Sequence, residues 1–176
     1  MVYSVSIMLK LWNTESRTRE AFGSITEDEV RMYSCGPTVY GRAHVGNLRG
    51  YVIWDVLKRL LQADGYNVIH AMNITDVGHL TDDADDGEDK MLKSAREQGK
   101  TAWDIAKEYE ELFKLDAKNL NIVLPEPPLL CRATEHIEDQ IKLIKTLEEK
   151  GYTYKTSDGI YFDTAKFPEY GKFSGQ

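Results

Sequence analysis

The chain has 176 residues, 41% of them hydrophobic, and a formal net charge of −7 at pH 7. That length suits one domain or slightly more, and a mean hydropathy of −0.47 fits a globular chain with its own core. No apolar run approaches the ~20 residues of a transmembrane helix, and the acidic balance argues against a stand-alone nucleic-acid binder, which needs clustered Lys and Arg.

Residues 1–7 lack a basic start and a full apolar segment, so they do not read as a signal peptide. Residues 9–12 read as a short strand and residues 31–35 as a stronger one. Next comes Cys35-Gly36-Pro37-Thr38-Val39-Tyr40-Gly41-Arg42-Ala43-His44-Val45-Gly46-Asn47. An amphipathic helix is expected over residues 48–61, with Leu48, Val52, Val56 and Leu60 turned to a sheet and Leu57 and Leu61 widening the stripe. Asp64-Gly65 stops it, and residues 67–72 read as a buried strand. Strand, helix and strand together begin a parallel sheet.

The acidic run Asp82-Asp83-Ala84-Asp85-Asp86-Gly87-Glu88-Asp89 reads as solvated, with a helix over residues 87–98. Thr101 caps a further helix, with Asp104 at capping-box distance. Its inner face is Ala102, Ile105, Ala106, Tyr109, Leu112, Phe113 and Asp116. Pro125, Pro127 and Pro128 mark a module boundary. Thr134 starts a helix with Ile137, Ile141, Ile144 and Leu147 inward, and Gly151 ends it. Residues 152–154 and 160–162 flank Ser157-Asp158-Gly159 as a hairpin.

The chemistry concentrates in residues 35–47, a strand-to-helix turn. Such a turn gathers backbone N–H groups and the positive end of a helix, which suits phosphate. His44 is either a donor to that anion or an ordinary turn histidine. Asn47 is either a second donor or an N-cap. Cys35 is a soft metal ligand or nucleophile, or else a buried free thiol. Cys35 and Cys131 form no spacing pattern, so a reduced compartment is expected. Other motifs fail: Gly99-Lys100-Thr101 resembles a phosphate-loop ending, but Ser94 stands where that loop needs its first glycine. A calcium loop centred on Gly87 would use Ala84 and Lys93 as ligands.

Residues 35–47 resemble the signature of the class I aminoacyl-tRNA synthetases, and most closely their cysteine-specific branch. There a Cys-Gly-x-Thr-Val-Tyr run leads to a His-Ile-Gly-His tetrapeptide, here His44-Val45-Gly46-Asn47. The resemblance continues through Asn73-Ile74-Thr75-Asp76, Leu120-Asn121-Ile122, residues 132–137 and residues 158–163, and covers roughly residues 8–176. It implies an α/β fold: the first half of a Rossmann-like parallel-sheet catalytic domain over residues 8–123, then the start of a connective insertion over 124–176. Residues 1–7 would be an extension.

The resemblance implies ATP-dependent activation of cysteine and transfer to tRNA(Cys) in the cytoplasm. His44 and Asn47 would be catalytic, and Pro37, Thr38, Tyr40, His44, Gly46 and Asn47 would bind ATP. Cys35, Gly36, Thr38 and Thr75 would hold cysteine, with Cys35 also ligating Zn2+. The family's other zinc ligands match none of His70, His79, His136 or Cys131, and its Lys-Met-Ser-Lys-Ser loop does not occur. The C-terminal half of the catalytic domain is therefore expected to be missing and the chain alone inactive. Two positions depart from the family: Asn47 replaces the second motif histidine, and Lys114 stands near Phe113 where a histidine is usual. Two alternatives stay open: a non-catalytic nucleotide-binding paralogue or split-enzyme subunit, and a ligase joining cysteine to an amino-sugar.

Overall fold

A computed structural model describes residues 9–78 and 90–174. They form two compact units. One is Ile25–Ile137, and the other joins the segment ending at Ser24 to the segment starting at Glu138.

In the second unit, β1 (Lys10–Asn13) and β2 (Thr18–Ala21) pair antiparallel, with Lys10 opposite Ala21 and Asn13 opposite Thr18. Asn13 closes the hairpin: its Oδ1 accepts from Glu15 N–H, and its Nδ2 donates to Glu20, each at 2.9 Å. The sequence predicts β1 but not β2. All four β2 residues are exposed, so no apolar alternation marks the strand.

The larger unit is built on a parallel sheet. β3 (Glu29–Ser34) is followed by α1 (Val45–Ala63) and then β4 (Asn67–Ile74), with Glu29 opposite Asn67 and Ser34 opposite Met72. α2 (Lys90–Gln98) and α3 (Ala102–Asn119) follow, and β5 (Leu130–Arg132) joins the free side of β4. The sheet order is β3-β4-β5. Thr101 and Asp104 cap α3 reciprocally, as the spacing predicts. The start expected for α2 at residue 87 lies outside the described residues. The run before β5 contains a cis Pro127–Pro128 bond, and β5 itself is not predicted from the sequence.

Side chains alternate across the sheet. On β4, His70, Met72 and Ile74 are buried under the helices. Met72 packs with Tyr51, Phe113, Ala117 and Ile122, while Ile74 packs with Val39, Ala95, Ile105 and Ala106. Tyr51 and Phe113 meet edge-on at 5.1 Å.

The buried face of α1 differs from the expected stripe. Tyr51, Asp55 and Leu61 are buried, whereas Val52, Val56 and Leu60 are exposed. Residues four apart advance 400° around a helix, so the stripe from Leu48 to Leu60 drifts by about 120° and only its start meets the sheet. Asp55 is buried because it is fully bonded. It accepts from Arg59 at 2.7 Å and from Val123 N–H at 3.0 Å.

After β5, residues Ala133–His136 form a 3-10 turn that leads into α4 (Ile137–Glu149). The helix therefore starts as a tighter turn at Thr134, which is anchored by Asp76 through its backbone N–H (3.0 Å) and its hydroxyl (2.5 Å). The apolar stripe on α4 is present, but Ile137, Ile141 and Ile144 are exposed and only Leu147 is half-buried, against the inward expectation. β6 (Thr153–Lys155) and β7 (Ile160–Phe162) form the expected hairpin, with Tyr154 stacked on Tyr161 and Tyr152 on Phe162.

Candidate active site

Residues 35–44 link the C-terminal end of β3 to the start of α1. Their near half is fixed to β4. Gly36 N–H donates to Asn73 Oδ1 at 3.0 Å, Thr75 N–H to Pro37 O at 2.9 Å, and Val39 N–H to Thr75 O at 3.1 Å. Thr38 and Thr75 thus pair as a parallel bridge. Gly36 permits this approach, because a Cβ there would lie 1.8 Å from the Asn73 carbonyl oxygen. The far half is fixed to helices. Ser94 donates to Tyr40 O at 2.8 Å, and Arg42 makes a two-pronged bond to Asp116 at 2.8 and 3.1 Å.

His44 is the N-cap of α1. Its Nδ1 accepts from Gly46 N–H at 3.0 Å, and its own N–H donates to Asn47 Oδ1 at 3.1 Å. An accepting Nδ1 carries no proton, so the neutral ring holds its proton on Nε2. Gly46 makes room for the ring, since a Cβ would come 2.8 Å from His44 Cε1. No acidic residue occupies the first turn of α1, so its positive end is uncompensated there.

These residues enclose a cleft of about 270 Å³. Gly36, Pro37, Thr38, Tyr40, His44 and Asn47 line it, with Tyr51, Tyr109 and Phe113 forming its apolar wall. Gly46 lies behind the His44 ring and is not part of the lining. Burial pushes the Tyr51 hydroxyl up to about 12, so it stays a neutral donor.

Cys35 and Thr75 also lie off the cleft. The pairing of Ser34 with Met72 puts Cys35 level with Asn73, and Asn73 pairs with Cys131. One row, Cys35–Asn73–Cys131, therefore crosses the three strands on the face opposite Met72. Tyr33 on that face donates to Asn73 Oδ1 at 2.8 Å, and Asn73 Nδ2 donates to Thr75 Oγ1 at 3.1 Å. Cys35 is an exposed free thiol, contrary to a buried-cysteine reading. Among the described residues no three His, Cys, Asp or Glu side chains come together as a metal group, so Cys35 alone does not make a zinc site.

Two charged clusters escape sequence reasoning. Arg42 and Asp116 are 74 positions apart, and no periodic signal connects them. Glu110, on the covered side of α3, binds Arg132 at 2.6 and 2.7 Å and Lys114 at 2.7 Å. Lys114, the departure noted above, thus neutralises a buried carboxylate. Burial pushes Glu110 up, but the bonds from Arg132 and Lys114 outweigh it and hold the carboxyl below its usual range. His70 is buried with Nε2 2.8 Å from Ser34 Oγ, and burial holds its pKa below the ordinary value.

The parallel β3-β4-β5 sheet with a helix crossing from β3 to β4 is a Rossmann-like α/β fold of the kind found in class I synthetases. The LeuRS–tRNA–LeuAMS ternary complex of Agrobacterium radiobacter K84 has that fold, with a TM-score of 0.53 at 23% identity. The match covers 72% of this chain and 15% of that one. The family model described as "tRNA synthetases class I (C) catalytic domain" matches residues 21–176, and the chain belongs to that family. It is 54% identical to cysteine–tRNA ligase 1 of Burkholderia lata, over 93% of this chain and 34% of that protein. It is 51% identical to the cysteine–tRNA ligase of Treponema denticola, over 94% of this chain and 33% of that protein. The cysteine–tRNA ligase of Zymomonas mobilis is also 51% identical, over 93% and 31%. The chain therefore spans about a third of the length of these relatives.

Proposed function

We propose that the chain is the N-terminal part of a cysteine–tRNA ligase, which activates cysteine with ATP to cysteinyl-adenylate and pyrophosphate and then esterifies tRNA(Cys). The observation that carries this reading is the His44 cap. With Nδ1 engaged by Gly46, the Nε2 proton is left to donate beside the uncompensated positive end of α1. That is a donor arrangement for charge developing on a phosphoryl group as pyrophosphate leaves. Asn47 spends its Oδ1 on the cap and keeps Nδ2 as a second donor.

In this reading Pro37, Thr38 and Tyr40 line the nucleotide side of the cleft, and Gly46 keeps the backbone beside the His44 ring clear. Cysteine would bind at Cys35, Gly36, Thr38 and Thr75, at the C-terminal ends of β3 and β4, where open parallel sheets take ligands. Cys35 would supply one thiolate to a zinc ion only with ligands from beyond these 176 residues, and no step here depends on that metal. The 8–123 part would be the first half of the catalytic domain, completed in its sheet by β5. The helix and hairpin of the 124–176 part would begin the connective insertion. No helix among the described residues is long and apolar enough to cross a membrane, and the substrates point to the cytoplasm.

The reading is tested by amino-acid-dependent exchange of labelled pyrophosphate into ATP, using a protein of the relatives' full length that carries this chain. Cysteine should drive exchange. Exchange driven by another amino acid, or by none, would reject it.

A further inference from the structure

We infer that Asn73 sets the direction of the Thr75 hydroxyl, so that Thr75 donates its proton to an anionic atom of the bound amino-acid substrate. This deepens the adenylation reading above and rests on it. The argument starts from one obligate donor. Gly36 N–H can only donate, and it lies 3.0 Å from the Asn73 side chain. The atom it meets is therefore Oδ1, which fixes the amide orientation. Tyr33 donates to the same oxygen at 2.8 Å.

The amide nitrogen must then face Thr75 Oγ1, 3.1 Å away. An amide NH2 only donates, so Thr75 accepts at that contact. Its hydroxyl has one proton and two lone pairs. Asn73 occupies one lone pair, and among the described residues nothing accepts the proton. Thr75 lies just past the end of β4, on the sheet face of Cys35 and bridged to Thr38. The proton is thus offered where the proposed substrate binds, and its acceptor there would be a carboxylate or thiolate.

Aspartate at position 73 would keep the acceptor for Gly36 and Tyr33 but present oxygen to Thr75. The hydroxyl would turn to donate to that oxygen, and the substrate would lose its donor. A role in shape alone would tolerate Asp, whereas a role in hydroxyl direction requires Asn. Asn73 is accordingly a positioning residue that acts through Thr75.

The test is a double-substitution cycle in the full-length protein, read by pyrophosphate exchange with whichever amino acid the wild type activates. Asn73→Asp and Thr75→Val should each raise the amino-acid KM about tenfold while the ATP KM stays within twofold. The double variant should stay within twofold of Thr75→Val, because both remove one donor. Tyr33→Phe, which leaves the Asn73–Thr75 bond alone, should keep the amino-acid KM within twofold of wild type. An unchanged KM in Asn73→Asp, or effects that multiply to about a hundredfold, would overturn the inference. If the wild type activates an amino acid other than cysteine, the functional reading fails and the cycle still decides. If no exchange occurs or Asn73→Asp fails to fold, neutron diffraction from wild-type crystals decides. A Thr75 deuteron turned away from Asn73 supports the inference, and one on the Thr75–Asn73 axis overturns it.

Discussion

His44 and Asn47 hold each other across the first turn of α1: Asn47 Oδ1 accepts the His44 N–H at 3.1 Å, while the His44 ring accepts from Gly46. One imidazole closes the helix and, in the function proposed, also offers Nε2–H to a ligand. His44→Ala should lower stability by about 1 kcal/mol as a lost cap. In the full-length protein it should slow adenylate formation much more, by about 2.7–4 kcal/mol if it serves as one oxyanion-type donor. Urea unfolding measures the first and pyrophosphate exchange the second. A raised cysteine KM with unchanged kcat would reject the assignment to the chemical step.

Asp116 should make the 36–44 turn sensitive to acid. Its bond to Arg42 holds its carboxyl below the ordinary 3.8, so the native state favours the ionised form. Such a group stabilises fully above its unfolded value and loses that contribution as pH falls through the lower folded value. Asp116→Asn should therefore be less stable than wild type at pH 7. The gap should begin to narrow as pH drops below about 3.8 and close only as pH passes the lower folded value. Urea midpoints of both proteins from pH 7 to pH 3 test this, and a gap as wide at pH 3 as at pH 7 would contradict it.

The Glu110 cluster predicts an asymmetry. Arg132→Met leaves a buried carboxylate with only Lys114, whereas Glu110→Gln leaves two cations that are partly exposed and hydrated. Stranding a buried charge costs ~3–5 kcal/mol, and with Lys114 still bound the low end, about 3 kcal/mol, is expected for Arg132→Met. Glu110→Gln should cost about 1.5–3 kcal/mol as lost charged hydrogen bonds. Denaturant unfolding that finds the glutamate change the costlier of the two would contradict this placement of the charges.

Gly36→Ala should be among the most damaging small substitutions. The added methyl would lie 1.8 Å from a backbone oxygen of β4, which has no flexible end to move aside. Overpacking of this kind costs ~1–3 kcal/mol or more, and we expect the upper end. If cysteine binds at Cys35 and Thr38 as proposed, its affinity in the full-length protein should fall along with the melting temperature. A variant with wild-type stability would contradict the close approach of Gly36 to β4.

The β3–α1–β4 unit and α3 were legible in the sequence because alternation, four-residue spacing, capping residues and Gly65 all agree locally. The site loop was legible as a strand-to-helix turn for the same reason. What escaped depends on distant partners. Asp55 and Glu110 look like surface charges until Val123, Arg59, Arg132 and Lys114 are brought to them. Asn73 has no visible role until Tyr33, 40 positions earlier, and Gly36 converge on it. The Leu48–Leu60 stripe misled because a four-residue period drifts around the helix, and the α4 stripe because periodicity marks an apolar face without naming its cover. β2 and β5 show no alternation, because every β2 residue is exposed and every β5 residue is half-buried.

If these residues form the nucleotide-binding first part of a cysteine-specific ligase, charging needs a C-terminal remainder as well. The most direct measurement is charging of tRNA(Cys) with labelled cysteine. It compares the 176-residue chain alone, a separately expressed C-terminal remainder, and the two mixed or joined. Each part alone should give background charging, and cysteine charging should appear when both are present. Full charging by the chain alone, or none by the joined protein, would contradict this.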